Sequence, residues 1–211
     1  MTARNQQTLG FLKTTLALLS SALVANCAAP RATLNSDLIQ SKFGSYGVQV
    51  LEQTSTVRVS NLYSGNATAQ TTRTFAVVQF NEPMPQPLLT PHQQVLAGGS
   101  LGSTLASNGW KLAKQTIQHT RTLATPRLAR MMQVAVDTEL ATHVYALSAK
   151  ADGVNFHYAL IAEIHHPAHL SQAELVKIFP AKDHPNSPTA ATQRQPLHLL
   201  QRHLQIEISK P

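Results

Sequence analysis

The chain has 211 residues, with 17 Lys+Arg against 10 Asp+Glu, a net charge of +7 and a pI near 9.9, enough for one domain, or two small ones, with a sizeable core. Apolar residues make up 43% and charged residues 13%, which excludes a charge-rich disordered chain and a coiled coil. The single cysteine excludes an internal disulfide framework and any multi-cysteine zinc or iron–sulfur centre, and aromatic residues at 5% make a stacking platform for single-stranded nucleic acid an unexpected feature.

Arg4 and Lys13 are followed by an apolar run from Leu16 to Ala25, then by Asn26 and Cys27. A basic start, a short apolar stretch and small residues at its end make a secretory signal. The run falls short of the about 20 apolar residues that a spanning helix needs, and no later segment comes closer. The stretch Leu23-Val24-Ala25-Asn26-Cys27 resembles the lipobox of bacterial lipoproteins, with Asn26 where that class usually carries Gly, Ala or Ser. The resemblance covers residues 1–27. It implies a signal peptide over 1–26, removed to leave Cys27 as an acylated N-terminus; the residues that follow, small and polar with one proline, make 27–35 read as a tether. Ala28, not Asp, follows the cysteine, which in that class implies an outer-membrane lipoprotein facing the periplasm. Its partners would then be the membrane, through the lipid, and another envelope protein or component, with no nucleic acid. Each buried methylene adds about 0.8 kcal/mol, so the three chains of that class make attachment effectively permanent.

Residues 36–179 are expected to form the folded domain. Ser36 to Phe43 predicts a brief helix ended by Gly44 and Gly47. Strand-like runs follow at 48–53, 56–63 and 72–80, with Ser64-Gly65-Asn66 as turn chemistry between the last two. Thr90-Pro91 reads as a helix start, for a helix through Val95 to Leu105 that Gly98, Gly99 and Gly102 weaken or break. Trp110 to Thr120 reads as a strand. From Leu123 to Thr138 the pattern divides: Thr125-Pro126 opens a helix with Leu128, Met131 and Met132, while Val134 and Val136 favour a strand.

Asp152-Gly153 is a two-residue hairpin turn between strands 141–151 and 154–165. Regular pairing from that turn sets Ala149 against Phe156, Leu147 against Tyr158, Tyr145 against Leu160 and His143 against Ala162, all on the core face. His157, Glu163 and His165 then share the opposite face. Ser171 and Glu174 form a capping box with Leu170 and Leu175 as its staple, opening a helix that ends at Phe179-Pro180. Residues 180–196 hold four prolines and read as a linker or loop, and 197–211 as a helix or strand. Strands followed by a helix, twice, predict an α+β fold: antiparallel sheet, as one sheet or two similar lobes, with helices packed on one face.

Two constellations stand out. Glu163, His165, His166 and His169 form the densest polar group, and three imidazoles with a carboxylate are ligand chemistry for zinc or another divalent metal. Adjacent His165 and His166 on a strand point to opposite faces, and Pro167 holds His166 extended, so no complete ligand set is expected, and no bound metal or other cofactor. His119, Arg121, Arg127 and Arg130 form a basic stretch suited to phosphates or cell-wall carboxylates. Ser148 and His157 share a side without a third member, and no nucleophile-elbow, P-loop, dinucleotide or H-E-x-x-H motif is present. The reading favoured is a non-enzymatic lipoprotein that binds a partner or serves envelope assembly. The alternatives are a metal-assisted hydrolase using histidines around 157–169, or a carrier of an apolar ligand.

Overall fold

A computed structural model describes residues 33–181 together with His198 and Arg202. Cys27, the predicted signal peptide, nearly all of the predicted linker and most of the 197–211 segment lie outside the described residues. Helix α1 (Asn35–Phe43) precedes strands β1 (Gly47–Gln53), β2 (Val57–Asn66) and β3 (Ala69–Phe80). Helices α2 (Gln86–Leu96) and α3 (Leu101–Ser107) lead to β4 (Lys111–Leu123), α4 (Pro126–Met132), β5 (Glu139–Ala151), β6 (Val154–His165) and α5 (Gln172–Ile178). The fold is α+β, with six strands in one antiparallel sheet of order β1-β2-β3-β6-β5-β4. Of the two arrangements expected, the single sheet is formed: two three-stranded meanders joined edge to edge where β3 pairs with β6 from Thr74↔His165 to Phe80↔Ala159.

Because side chains alternate across a strand, each central strand feeds two cores. On the main face Val78, Tyr145, Leu147 and Ile161 pack beneath Leu88 and Val95 of α2 and Leu105 of α3. On the opposite face Phe75, Val77, Val144, Ala162 and Ile164 pack beneath Leu128, Ala129 and Met132 of α4. Helices α1 and α5 join α2 and α3 on the main face, through Asn35 against Thr74 and through Leu175 and Phe179 against Ala141. The expectation of helices on one face thus holds for these four, while α4 covers the other side, and β5 is buried on both sides from Leu140 to Leu147.

Local chemistry explains most boundaries. The Ser171 hydroxyl accepts from the Glu174 amide, and the Glu174 carboxylate accepts from the Ser171 amide, starting α5 with its capping box. Thr125 caps α4 and Pro126 fills its first turn. Gln133 at φ 55° then ends α4, so Val134 and Val136 lie in a turn and not a strand. The turn between β2 and β3 is Ala67-Thr68 and not the predicted Ser64-Gly65-Asn66, because the Asn66 side chain accepts from the amides of Thr68 and Ala69 and holds the reversal two residues later. Helix α2 starts after Pro85, not at Thr90: Pro87 sits in the first turn, where its missing N–H costs nothing, and Pro91 lies inside the helix. The helix does break at the glycines. Arg58, buried in β2, donates to the carbonyls of Val95 and Gly99 at 3.0 and 2.8 Å, closing the end of α2 onto the sheet.

The hairpin turns at Asp152-Gly153, with φ 47° and 79° at the two residues, the left-handed pair that a type I′ turn needs. Ala149 pairs with Phe156 as expected, and Ser148 with His157, but the next pair is Leu147↔Ala159. Tyr158 is left unpaired as a β-bulge, and every pair beyond it is displaced by one residue. Tyr145 therefore faces Ile161 and not Leu160, and His143 faces Glu163 and not Ala162. Tyr145, Leu147 and Tyr158 lie in the core as expected, whereas Leu160 turns to the other face and is half-buried.

Leu147→Ala should cost about 2–5 kcal/mol in a denaturation series, and Leu160→Ala distinctly less. Equal losses would contradict the bulge.

Candidate functional site

The main face carries a polar cluster at its centre. Its members are His143 and Tyr145 on β5, Glu163 and His165 on β6, Thr116 and Lys114 on β4, and Thr74 on β3, with the ends of α1 and α5 above them. His143, Glu163 and His165 are each at most 5% exposed, and one ligand-capable atom of each lies within 4.8 Å of the others. The His165 Nε2 to Glu163 Oε2 distance is 3.9 Å. Tyr145 hydrogen-bonds Glu163, and burial together with that carboxylate raises its phenol well above the ordinary range.

The outer nitrogens of the rings are held by neighbours. His165 Nδ1 meets the Thr74 hydroxyl at 3.0 Å, which also accepts from Asn35 Nδ2. Asn35 Oδ1 accepts from His169 Nε2 at 2.7 Å. The Thr116 hydroxyl donates to the Phe179 carbonyl at 3.2 Å and lies 3.1 Å from His143 Nε2. A threonine has one proton to give. With that proton on Phe179, His143 must donate from Nε2, which leaves its Nδ1 as a bare lone pair. His143 Nδ1 and His165 Nε2 are buried with no hydrogen-bond partner. Phe179 stacks on the His143 ring at 5.0 Å, and the Lys114 ammonium lies over the Tyr145 and Phe179 rings at 4.7 and 4.8 Å.

Beside the cluster, between the sheet and the starts of α1 and α3, is a chamber of about 70 Å³ to which every strand contributes. Its walls are apolar, with Leu34, Val48, Leu62 and Leu147 among them. Its charged groups are Arg58, Lys114 and Glu163, joined by the phenols of Tyr46 and Tyr145 and the short polar side chains of Asn35, Ser36, Ser60 and Ser100. Gly102 lets α3 close on α1 here: a Cβ would stand 2.9 Å from the Leu34 side chain. Two cations and one carboxylate give the chamber a net positive lining.

The sequence-predicted residues are only partly brought together. Glu163 and His165 share the cluster, but the third ligand-capable residue is His143, and His169 stands one step outside it, bonded to Asn35. His166 is on the far face, where it donates to the Met132 carbonyl. His157, expected beside Glu163, is turned away by the bulge and meets Ser148 at 3.1 Å on the exposed hairpin end. The basic stretch is divided. His119 and Arg121 share the main-face side of β4, His119 near His143 and Arg121 bridged to Glu139 at 2.8 Å, while Arg127 and Arg130 belong to α4. Cys27 lies outside the described residues.

No family model matches the chain, and no curated protein matches it. Among solved structures it is similar to a transcriptional regulator of the GntR family from Enterococcus faecalis V583, at 11% identity and a TM-score of 0.36, over 60% of this chain and 93% of that one. A likeness of that size carries no argument.

Burial pushes the pKa of His143 down to about 2, with Lys114 and His165 adding repulsion. Burial likewise pushes His165 down to about 3, with Lys114 adding to it. His169 falls to about 3 through burial and then the nearby His165. The folded chain keeps these rings neutral, whereas the unfolded chain protonates them below about pH 6.5. Their contribution is therefore complete above about pH 6.5 and is lost as pH falls toward 3, by about 2 kcal/mol per ring at pH 5. Urea midpoints should drop steeply between pH 7 and pH 5, and a flat profile would show the rings to be accessible.

Proposed function

We propose that this protein is an envelope lipoprotein, anchored by Cys27 in the outer membrane and facing the periplasm, whose domain binds a small organic anion. The observation that carries the binding half is the chamber: Arg58 and Lys114 against one carboxylate, Glu163, with two phenols and the uncharged polar side chains of Asn35, Ser36, Ser60 and Ser100 between apolar walls. Hydrogen-bonding cations in a low-dielectric recess favour a carboxylate or phosphate over a neutral guest. The volume of about 70 Å³ suits a guest of a few heavy atoms and falls well below the several hundred Å³ of a site for a larger ligand. That disfavours the carrier of an apolar chain.

The anchor and the chamber are close in the chain. Asn35, in the chamber wall, is eight residues after Cys27, a span of at most about 29 Å. The domain would work within that distance of the lipid surface, where it meets envelope components directly. No helix among the described residues is long and apolar enough to cross a membrane, so anchorage in this reading rests on the lipid.

Mass spectrometry of the membrane-extracted chain should show an acylated peptide beginning at Cys27; an unmodified thiol there would overturn the anchor. For the chamber, calorimetric titration of the full chain with two- to four-carbon carboxylates and inorganic phosphate should find at least one binder, weakened at least tenfold in Lys114→Met. Binding of none, or binding indifferent to that change, would overturn the anion reading.

A further inference from the structure

We infer that His143 Nδ1, His165 Nε2 and the Glu163 carboxylate form a binding site for a divalent first-row metal ion, zinc foremost. The site is independent of whether the chamber takes an organic anion. Three observations carry it. One ligand-capable atom of each of the three residues lies within 4.8 Å of the others in a buried setting. His143 Nδ1 and His165 Nε2, the latter 3.9 Å from Glu163 Oε2, are buried with no hydrogen-bond partner. The remaining nitrogens are each held by a threonine hydroxyl that is itself fixed, Thr74 by Asn35 and Thr116 by the Phe179 carbonyl.

The tautomer makes the case specific. With Thr116 donating to Phe179, His143 holds a bare Nδ1 lone pair in a buried place, and Glu163 is its partner across the strands. Two acceptors facing each other in a buried place repel unless a proton or a cation lies between them. Two imidazoles and one carboxylate are a ligand set that zinc sites use; His143 already donates from its outer nitrogen to Thr116, and His165 ligates through Nε2 once its proton moves to Nδ1, where Thr74 accepts it. Zinc at 2.0–2.2 Å from each atom would hold tetrahedral ligands about 3.4 Å apart. The observed 3.9 Å between His165 and Glu163 closes by about half an ångström, and the widest of the three separations, at most 4.8 Å, by up to about 1.4 Å, through side-chain rotation. Glu163 also lines the chamber, so the remaining coordination position opens on that side. Lys114 is the opposing charge: its ammonium lies beside the cluster over Tyr145, and a bound dication must work against it.

The test uses the full chain, purified without a histidine tag, stripped with chelator and titrated with zinc. One equivalent should bind and raise the melting temperature, and cobalt in its place should give the visible absorption bands of a low-coordinate nitrogen–oxygen site. His165→Gln and Glu163→Gln should weaken zinc uptake at least tenfold. Thr116→Val, which only positions His143, should weaken it by about 10–100-fold, and Lys114→Met should tighten it. Lys114→Met is expected to impair anion binding, so failure of one reading is distinguishable from failure of the other. Wild-type chain that takes up no zinc, or uptake unchanged in both ligand variants, would overturn the site. A variant that does not fold leaves the wild-type titration and the cobalt spectrum to decide.

Discussion

Side chains on a strand alternate between two faces, so one unpaired residue exchanges the faces of everything beyond it. Tyr158 is that residue in β6. Its displacement places Glu163 opposite His143 and His165 opposite Ala141, and it aligns Ile161 with Tyr145 and Ala159 with Leu147 in the main-face core. With regular pairing, Glu163 and His165 would instead face the underside of α4, among Phe75, Val77 and Val144, and Ile164 would leave that core for the main face. An ionised carboxylate in such an apolar place would be costly.

The bulge concentrates polarity instead of scattering it. Apolar clusters lie beneath α2 with α3 and beneath α4, and between the first of these and α5 runs a chain of groups from Glu163 through His165, Thr74 and Asn35 to His169. Buried polar chains specify a structure strongly when satisfied and weaken it when they are not. Here the outer links are made at 2.7–3.0 Å, and the inner nitrogens of His143 and His165 are left over. The remainder lies beside the chamber, where a ligand or an ion would complete it. The proposed anion site and the proposed metal site are thus two uses of one uncompensated region.

Much of the fold was legible because local chemistry governed it. The Asp152-Gly153 turn, the Ser171/Glu174 capping box, the Thr125-Pro126 helix start and the glycine break between α2 and α3 each have a short-range cause that the sequence displays. The α+β class followed from the order of these elements. What was not legible depended on the sheet as a whole. Nothing in His157-Tyr158-Ala159 marks a bulge: an aromatic residue between two others of strand character fits regular pairing equally well. Regular pairing sets His143 opposite Ala162, so the cluster loses its third ligand-capable residue, while His169, grouped by sequence with Glu163 and His165, stands outside it, bonded to Asn35. The basic stretch failed for a related reason: nearness in sequence put His119 and Arg127 together, and the sheet lies between them.

The central claim is the displaced register, and backbone nuclear Overhauser effects test it most directly. In the isotope-labelled full chain, close contacts should link the backbones of residues 143 and 163, 145 and 161, and 147 and 159, with Tyr158 matched to none. Contacts linking 143 to 162, 145 to 160 and 147 to 158 would contradict the account, and would dissolve the cluster with it.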